Sequence, residues 1–362
     1  MVLESRIGRF VAVSLVVIGL PLAGDRIIQG GLIGAVEAAS ELEEEVEIEL
    51  AEVALPPEPR DPSEFEVEFD PEVFGLSGAL RTIQSLPGAI LTIPFTWSPE
   101  PPPESWYRWI PSSGPRGSIK ASLDLEGRSN LTAPEEPGTY HLEVGIGDER
   151  SWILDDLTLI VLVPFEEKEG THLRGYHIGR YPTEGEGRTD RYAPPAGFIE
   201  VTPENHGLRL SKHLSIREFI TKDQHNVWPK FVVIDPLLLE KIELMMQELN
   251  EMGVRADRVH IMSGYRTPQY NARGIGRGRA TLSRHQYGDA ADLWIDNEAR
   301  GYISDLNGDG KRDTGDVRVM LRAIERVEEK YPELIGGAGI YAANSVRGPF
   351  LHIDVRGKRA RW

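Results

Sequence analysis

Apolar residues recur with helical spacing after Asp235-Pro236, and this is the clearest periodic pattern in the chain. Asp235 is a typical helix cap, Pro236 suits the first helical position, and Gly253 closes the segment. The apolar face consists of Leu238, Leu239, Ile242, Met245, Met246, Leu249 and Met252. The pattern therefore predicts an amphipathic helix whose methionines fill the core.

Short apolar runs surround this helix and predict strands at 259–262, 290–295 and 350–355. A second helix is predicted after Asp316. These elements together indicate an α+β domain over residues 207–362.

Residues 75–165 have a different pattern, in which β-prone runs are separated by Pro, Gly and Asn clusters. The predicted strands are 91–97, 106–109, 118–123, 139–144 and 157–163. The turn and strand at 133–140 (Ala-Pro-Glu-Glu-Pro-Gly-Thr-Tyr) resemble the penultimate strand of immunoglobulin-like domains. We expect an all-β immunoglobulin-like sandwich here.

Two polar segments flank this sandwich. Residues 41–70 contain 13 Asp or Glu against one basic residue, Arg60, and alternate with period 2. Alternation suits a strand, whereas like charges and prolines suit a solvated spacer. We predict an acidic spacer over 41–74, with one or two strands that pair with the next domain. Residues 166–206 are rich in Gly, Pro and Glu and are predicted to be a linker.

The N-terminus favours export. Arg6 and Arg9 precede an apolar run at 10–22, which is typical of a signal peptide and short for a membrane span. Residues 1–40 are therefore predicted to be a signal peptide or an uncleaved inner-membrane anchor, and the alternative is a buried N-terminal helix. We expect a periplasmic or cell-envelope protein whose only membrane contact is that anchor.

Composition excludes several classes of function. The formal net charge of −17 argues against a nucleic-acid partner. The chain contains no cysteine, which excludes thiolate catalysis, thiolate metal ligands and disulfides.

The chemistry is concentrated in Ser283-Arg-His-Gln-Tyr-Gly-Asp-Ala-Ala-Asp292 and in Phe350-Leu-His-Ile-Asp354. His285, Asp292 and His352 can hold a zinc ion and leave its fourth position open for water. This is the minimum that metal-assisted hydrolysis requires. The alternative is a set of structural side chains that bind no metal.

These motifs resemble the zinc D-Ala-D-Ala carboxypeptidases and murein endopeptidases, whose fold is shared with the hedgehog signalling domain. Ser263-Gly-Tyr-Arg266 is similar to a further segment of that family, and the resemblance covers roughly residues 207–362. It implies a zinc peptidase fold with His285, Asp292 and His352 as the zinc ligands. It also implies that Arg266 binds the substrate, although a structural salt bridge is the alternative.

The general base departs from the family pattern. Several relatives carry Glu three residues before the third ligand or His two residues before it, whereas this chain has Pro349 and Phe350. Asp354 lies two residues after His352, so both side chains point to one face of a strand. Asp354 is therefore the candidate base, and its alternative role is to orient a metal ligand.

Residues 305–316 match a calcium-loop pattern and form an insertion in the domain. The predicted calcium ligands are Asp305, Asn307, Asp309, Lys311, Asp313 and Asp316. The alternative is a polar loop that binds nothing.

Basic residues are expected to surround the cleft, or else to lie in plain solvated loops. They are Arg273, Arg277, Arg279, Arg284, Arg356, Lys358, Arg359 and Arg361. Free carboxylates on peptidoglycan stem peptides would be attracted to them. The sequence thus predicts a zinc murein peptidase. A non-catalytic module that binds peptidoglycan or a protein is the alternative, and a calcium-dependent assembly module is a third hypothesis.

Overall fold

The computed structural model describes residues 66–69, 74–93, 95–98, 105–113, 121–122, 130–148, 150–276 and 279–362. The predicted signal segment and most of the acidic spacer lie outside these residues. In the described part of the chain, no helix is long and apolar enough to cross a membrane.

The elements are numbered in chain order. The strands are β1 Glu66–Phe69, β2 Thr82–Ser85, β3 Ile90–Thr92, β4 Phe95–Ser98, β5 Ser105–Pro111, β6 Ala121–Ser122, β7 Asn130–Thr132, β8 Gly138–Ile146, β9 Arg150–Val161, β10 Val163–Pro164, β11 His172–Leu173, β12 Tyr176–His177, β13 Gly197–Val201, β14 Lys230–Val232, β15 Val259–Ser263, β16 Ala290–Ile295, β17 Gly337–Tyr341, β18 Phe350–Asp354 and β19 Ala360–Arg361. The α-helices are α1 Pro236–Glu251, α2 Pro268–Ala272 and α3 Thr314–Lys330.

The described part of the N-terminal half is built from strands, as the sequence predicts. One sheet has the order β2-β9-β8-β5-β6, and the pairs β3-β7 and β1-β4 form two smaller sheets. Leu91, Leu131 and Phe95 of the small sheets share one core with Trp109 and Val144 of the large sheet. The immunoglobulin-like topology stays a prediction.

Two details of this half differ from the predicted strands. The run at 91–97 is divided between β3, which ends at Thr92, and β4, which begins at Phe95. The sequence pattern also missed β2, which pairs parallel to β9. Strand β1, from the end of the acidic spacer, pairs antiparallel with β4. Its Glu66 and Glu68 are exposed, while Val67 and Phe69 pack against the core.

The linker prediction for 166–206 is wrong. This segment contains β11, β12 and β13, and β13 joins β10 and β14 in one sheet. Its apolar side chains form a core of their own with Phe231 and Tyr287, built from Leu173, Tyr176, Ile178, Tyr181 and Phe198. The segment is polar on average, but its aromatic residues bury enough apolar surface to order it.

The C-terminal half is an α+β domain around one sheet of order β15-β16-β18-β17-β19. Helix α1 begins at Asp235, whose side chain accepts the N–H of Leu237, and the chain leaves it through Gly253 at φ +75°. The predicted cap at Asp235 and the predicted end at Gly253 are therefore both confirmed. Helix α3 packs on α1 and on the β17–β18 pair. It starts earlier than expected, because Asp313 and Asp316 together form its capping box.

A buried carboxylate joins the two halves. Glu240 on α1 is 2 % exposed and accepts the backbone N–H groups of Leu76 and Ser77 at 2.8 and 2.9 Å. These residues lead into β2, and Leu80 bridges to Ser211 in the C-terminal half. The strands before residue 165 are therefore held against the helix that supports the C-terminal sheet.

We predict that Glu240→Gln lowers the free energy of unfolding by about 1–3 kcal/mol. An amide has one acceptor oxygen in place of two, so one buried N–H loses its partner. Urea denaturation of the full chain measures the change. Glu251→Gln on the exposed end of the same helix is the control and should shift stability by less than about 0.5 kcal/mol. Equal effects of the two substitutions would contradict the role of Glu240.

Candidate metal centre

Strand register sets two of the three ligand positions. Asp292 on β16 lies directly opposite His352 on β18, and their side chains share one face. A shift by one residue would move either side chain to the other face of the sheet. His352 Nδ1 and Asp292 Oδ1 are 2.8 Å apart.

A short 3-10 helix, Arg284–Tyr287, brings in His285, and Gly288 ends it at φ +73°. A Cβ at Gly288 would lie 2.4 Å from the carbonyl oxygen of Val233, so both conformation and space require glycine. The next residue, Asp289, forms a buried ion pair with Arg284. This explains the spacing of the motif, in which the chain turns tightly between His285 and β16.

The three ligand atoms fit a zinc ion. His285 Nε2 lies 3.3 Å from His352 Nδ1 and 3.4 Å from Asp292 Oδ1. Zinc bonds of about 2.0–2.2 Å in a tetrahedral arrangement place ligand atoms roughly 3.3 Å apart. All three side chains are buried. In the described part of the chain, no other group of three His, Asp or Glu side chains brings ligand atoms within 4.8 Å.

The second nitrogen of each histidine is also held. His285 Nδ1 is 2.7 Å from the carbonyl oxygen of Gly264, and His352 Nε2 is 3.4 Å from Asp354 Oδ2. A carbonyl or carboxylate in this position fixes the ring and the tautomer, which leaves the opposite nitrogen as the metal ligand. The nitrogens available to a metal are thus His285 Nε2 and His352 Nδ1.

The charges of the three candidate ligands suit a bound cation. Burial would raise the pKa of Asp292, but the two histidines hold it well below its usual range. Burial lowers the pKa of His285, which favours the neutral ring that a metal needs. For His352 burial also lowers the pKa, yet hydrogen bonds to Asp292 and Asp354 outweigh burial and raise it.

Asp354 lies behind His352, on the side away from the other ligand atoms. Its carboxylate is fully buried and accepts the N–H groups of Gly337 and Arg356 at 2.7 and 3.1 Å. The guanidinium of Arg356 adds further bonds at 2.9 Å. Burial would raise the pKa of Asp354, but these donors and His352 hold it far below its usual value. The geometry favours the orienting role and gives the base role no support.

Arg266 contacts a ligand directly. Its Nη2 donates to Asp292 Oδ2, and its Nε donates to Ser263 Oγ at 2.8 Å. The backbone N–H of Arg266 donates to the carbonyl oxygen of His285 at 3.0 Å. The salt-bridge alternative is therefore present in the structure. Arg266 also lines the adjoining cavity, so a contact with substrate stays compatible with its position.

A cavity of ≈490 Å³ adjoins the three ligands, and we call it the ligand cavity. Arginines dominate its polar wall, namely Arg266, Arg279, Arg284, Arg347 and Arg356. The rest of the wall includes three aromatic residues, Tyr341, Phe350 and Trp362. The Trp362 ring lies 5.3 Å from the His352 ring, and its Nε1 donates to the Tyr341 hydroxyl at 2.8 Å.

The basic residues expected around the cleft divide into two groups. Arg279, Arg284 and Arg356 line the ligand cavity, whereas Arg359 and Arg361 pair with Glu325 and Glu328 on α3. Arg273 and Lys358 do not line it. Arg277 lies outside the described residues.

Sequence reasoning missed Arg347 and the aromatic wall. The segment 342–349, which contains Arg347, has no periodic pattern, and Trp362 lies beyond the last predicted strand. No local signal marks these residues, since the β17–β18 pairing brings them to the site.

The structure does not support the calcium site at 305–316. Asp305 accepts the N–H groups of Gly308 and Gly310, both at 2.8 Å. Asp316 accepts those of Leu306 and Asp313 at 2.7 and 2.8 Å. Asn307, Asp309 and Asp313 likewise accept N–H groups of the loop or of the α3 N-terminus, and Lys311 donates its own to Asp309. These bonds account for the loop as a polar turn, and calcium binding stays a prediction.

Comparison with known proteins relates part of this region to a peptidase family. Residues 212–315 match the family model described as Peptidase M15. The matched segment contains Arg266, His285 and Asp292 and ends before His352. It supports a zinc metallopeptidase of that family, and zinc is the metal of such peptidases. No curated protein and no solved structure matches the chain.

We predict that Asp354→Asn weakens zinc binding about 10- to 100-fold, because His352 loses the carboxylate that orients its ring. Competition with a zinc-sensitive dye measures the affinity. Asp296→Asn, at the end of β16 and also buried, is the matched control and should bind zinc like the wild type. His285→Ala should bind no zinc at this site. Unchanged zinc affinity in Asp354→Asn, together with a large loss of kcat, would instead assign the base role to Asp354.

Proposed function

We propose that the chain is a zinc-dependent peptidase that cleaves amide bonds in peptidoglycan stem peptides. The observation that carries the proposal is the set of three buried ligand atoms, 2.8–3.4 Å apart, in the wall of an arginine-lined cavity. The Peptidase M15 match over 212–315 supports the metallopeptidase class. The substrate rests on the resemblance of the motifs and on the charge of the cavity.

The protein's own residues prepare the site for a cation and a peptide. His285, Asp292 and His352 would hold zinc, which supplies Lewis-acid polarisation of a carbonyl and activation of a water molecule. Gly264 and Asp354 keep the histidine rings in the required tautomers. Arg266 donates from Nη2 to Asp292 Oδ2 and so holds this carboxylate in place. A substrate carbonyl or carboxylate could then bind other N–H groups of the same guanidinium.

The charge of the cavity favours an anionic peptide. Five arginines line it, and Asp292 is the one carboxylate among its described lining residues. Stem peptides carry free carboxylates, which such a wall attracts and orients. Both a carboxypeptidase and an endopeptidase are compatible with these features.

The location follows from the same proposal. A substrate in the cell wall requires export, for which the basic and apolar N-terminal segment is a suitable signal or anchor. The protein would then act in the periplasm or cell envelope.

One observation favours a second candidate function. Apart from the ligand Asp292, no carboxylate is present among the described residues that line the cavity, and Asp354 faces away from it. A module that binds stem peptides around a structural zinc without cleaving them would need no base. The two functions share the same ligand chemistry and differ only in turnover.

We predict that the zinc-loaded protein releases products from purified muropeptides, and that a chelator stops the reaction. Zinc restored to the chelated protein should restore activity, since His285, Asp292 and His352 are present in both states. Mass spectrometry identifies the cleaved bond. The control is His285→Ala, which should stay inactive with added zinc. Binding of muropeptides by the zinc-loaded protein without any product would contradict the peptidase and support the binding module.

A further inference from the structure

We propose that Arg279 and Arg347, called here the arginine pair, bind a carboxylate of the substrate beside the metal centre. This inference rests on the proposed function and adds the chemical group by which the substrate is recognised. It depends on the pairing and location of the two side chains.

Salt bridges distinguish these two arginines from the other three that line the ligand cavity. Arg266, Arg284 and Arg356 each form a salt bridge with a buried aspartate, which compensates their charge. Within the described part of the chain, neither Arg279 nor Arg347 has a carboxylate partner. The wall of the cavity therefore carries two uncompensated positive charges.

The arginine pair lies between two cavities. A second cavity of ≈230 Å³ lies beside the ligand cavity, and Arg266, Arg279 and Arg347 line both. The second cavity contains no acidic lining residue among those described and adds Lys222. A peptide that extends from the metal centre into this space would pass the pair.

Both side chains are held by aromatic rings. Arg279 lies over Tyr270 at 4.3 Å and donates from Nη1 to the Tyr270 carbonyl oxygen at 2.6 Å. Arg347 lies over Phe350 at 4.4 Å, two residues before the ligand His352. Stacking fixes the plane of a guanidinium and leaves N–H groups at its edge for bidentate bonds to a carboxylate.

The gathering of like charges also points to an anionic ligand. Arg266, Arg279 and Arg347 all line the second cavity, and none of its described lining residues is acidic. Positive groups that repel one another in a cleft are stabilised when an anion binds between them. A carboxylate, which is planar and accepts two parallel N–H bonds, matches that requirement.

The carboxylate can come from two positions in a stem peptide. One is the C-terminal α-carboxylate, which a carboxypeptidase would recognise, and the other is an internal free carboxylate, which an endopeptidase would recognise. Two pairs of peptides separate them. The first pair ends in D-Ala-D-Ala as the free acid or as the C-terminal amide, and the second differs by an internal glutamate or glutamine.

The test compares the full-length wild type with Arg279→Gln and Arg347→Gln. In one of the two peptide pairs, the peptide with the free carboxylate should respond to the substitutions. Each substitution should raise its KM about 10- to 100-fold and change kcat little, because a charge-assisted hydrogen bond is lost. For the amide member, KM should be high in the wild type and unaffected by the substitutions. Arg322→Gln, an exposed position on α3, removes the same charge and should behave like the wild type.

Calorimetric binding of the same peptides in the presence of chelator separates this inference from the proposed function. Acid-over-amide preference that depends on the arginine pair, without cleavage by the zinc-loaded protein, would uphold the pair and overturn the peptidase. Cleavage with equal KM for acid and amide in both peptide pairs would overturn the arginine pair and leave the peptidase intact. Equal melting temperatures of all variants would show that folding does not cause the differences.

Discussion

Asp292 and His352 face each other across two neighbouring antiparallel strands, and the rest of the metal centre depends on this pairing. The pairing sets their ligand atoms 2.8 Å apart. His285 completes the set because a single glycine turns the chain beside Val233 and returns it into β16. A site built on strands and a tight turn is held more precisely than one built on long loops.

A buried ionic network connects strand β18 to the helices. Lys241 on α1 is fully buried and donates to Glu328 at 2.7 Å, to the Leu334 carbonyl at 2.9 Å and to the Asp354 carbonyl at 2.8 Å. Arg361 pairs with the other oxygen of Glu328. Isolated buried charges are costly, and this one is compensated by three acceptors. The network ties the end of β18, and with it Asp354 and His352, to the helices.

The predictable and unpredictable parts of the fold differ in physical origin. Asp235, Pro236 and Gly253 act within a few residues of the helix that they define, so the sequence alone locates it. The sequence also predicts the candidate ligands, because His285 and Asp292 lie within one motif and His352 lies in a second one. The folded segment 166–206 was missed because its aromatic residues follow no helical or strand period. They find partners such as Phe231 and Tyr287 only in three dimensions.

The same distinction applies within the site. Strand alternation placed Asp354 and His352 on one face, as observed, but could not tell which ring nitrogen Asp354 approaches. That depends on the tertiary contacts of Arg356 and Gly337 with the carboxylate. Arg347 is likewise brought to the cavity by pairing of β17 with β18, which no local pattern encodes.

The most direct test of this account is a crystal structure of the zinc-loaded chain, with anomalous diffraction recorded on both sides of the zinc absorption edge. The account predicts one strong zinc peak bonded to His285 Nε2, Asp292 Oδ1 and His352 Nδ1, at about 2.0–2.2 Å from each. His352 Nε2 should remain beside Asp354. A zinc ion bound through His352 Nε2, or no zinc at these residues, would contradict the account.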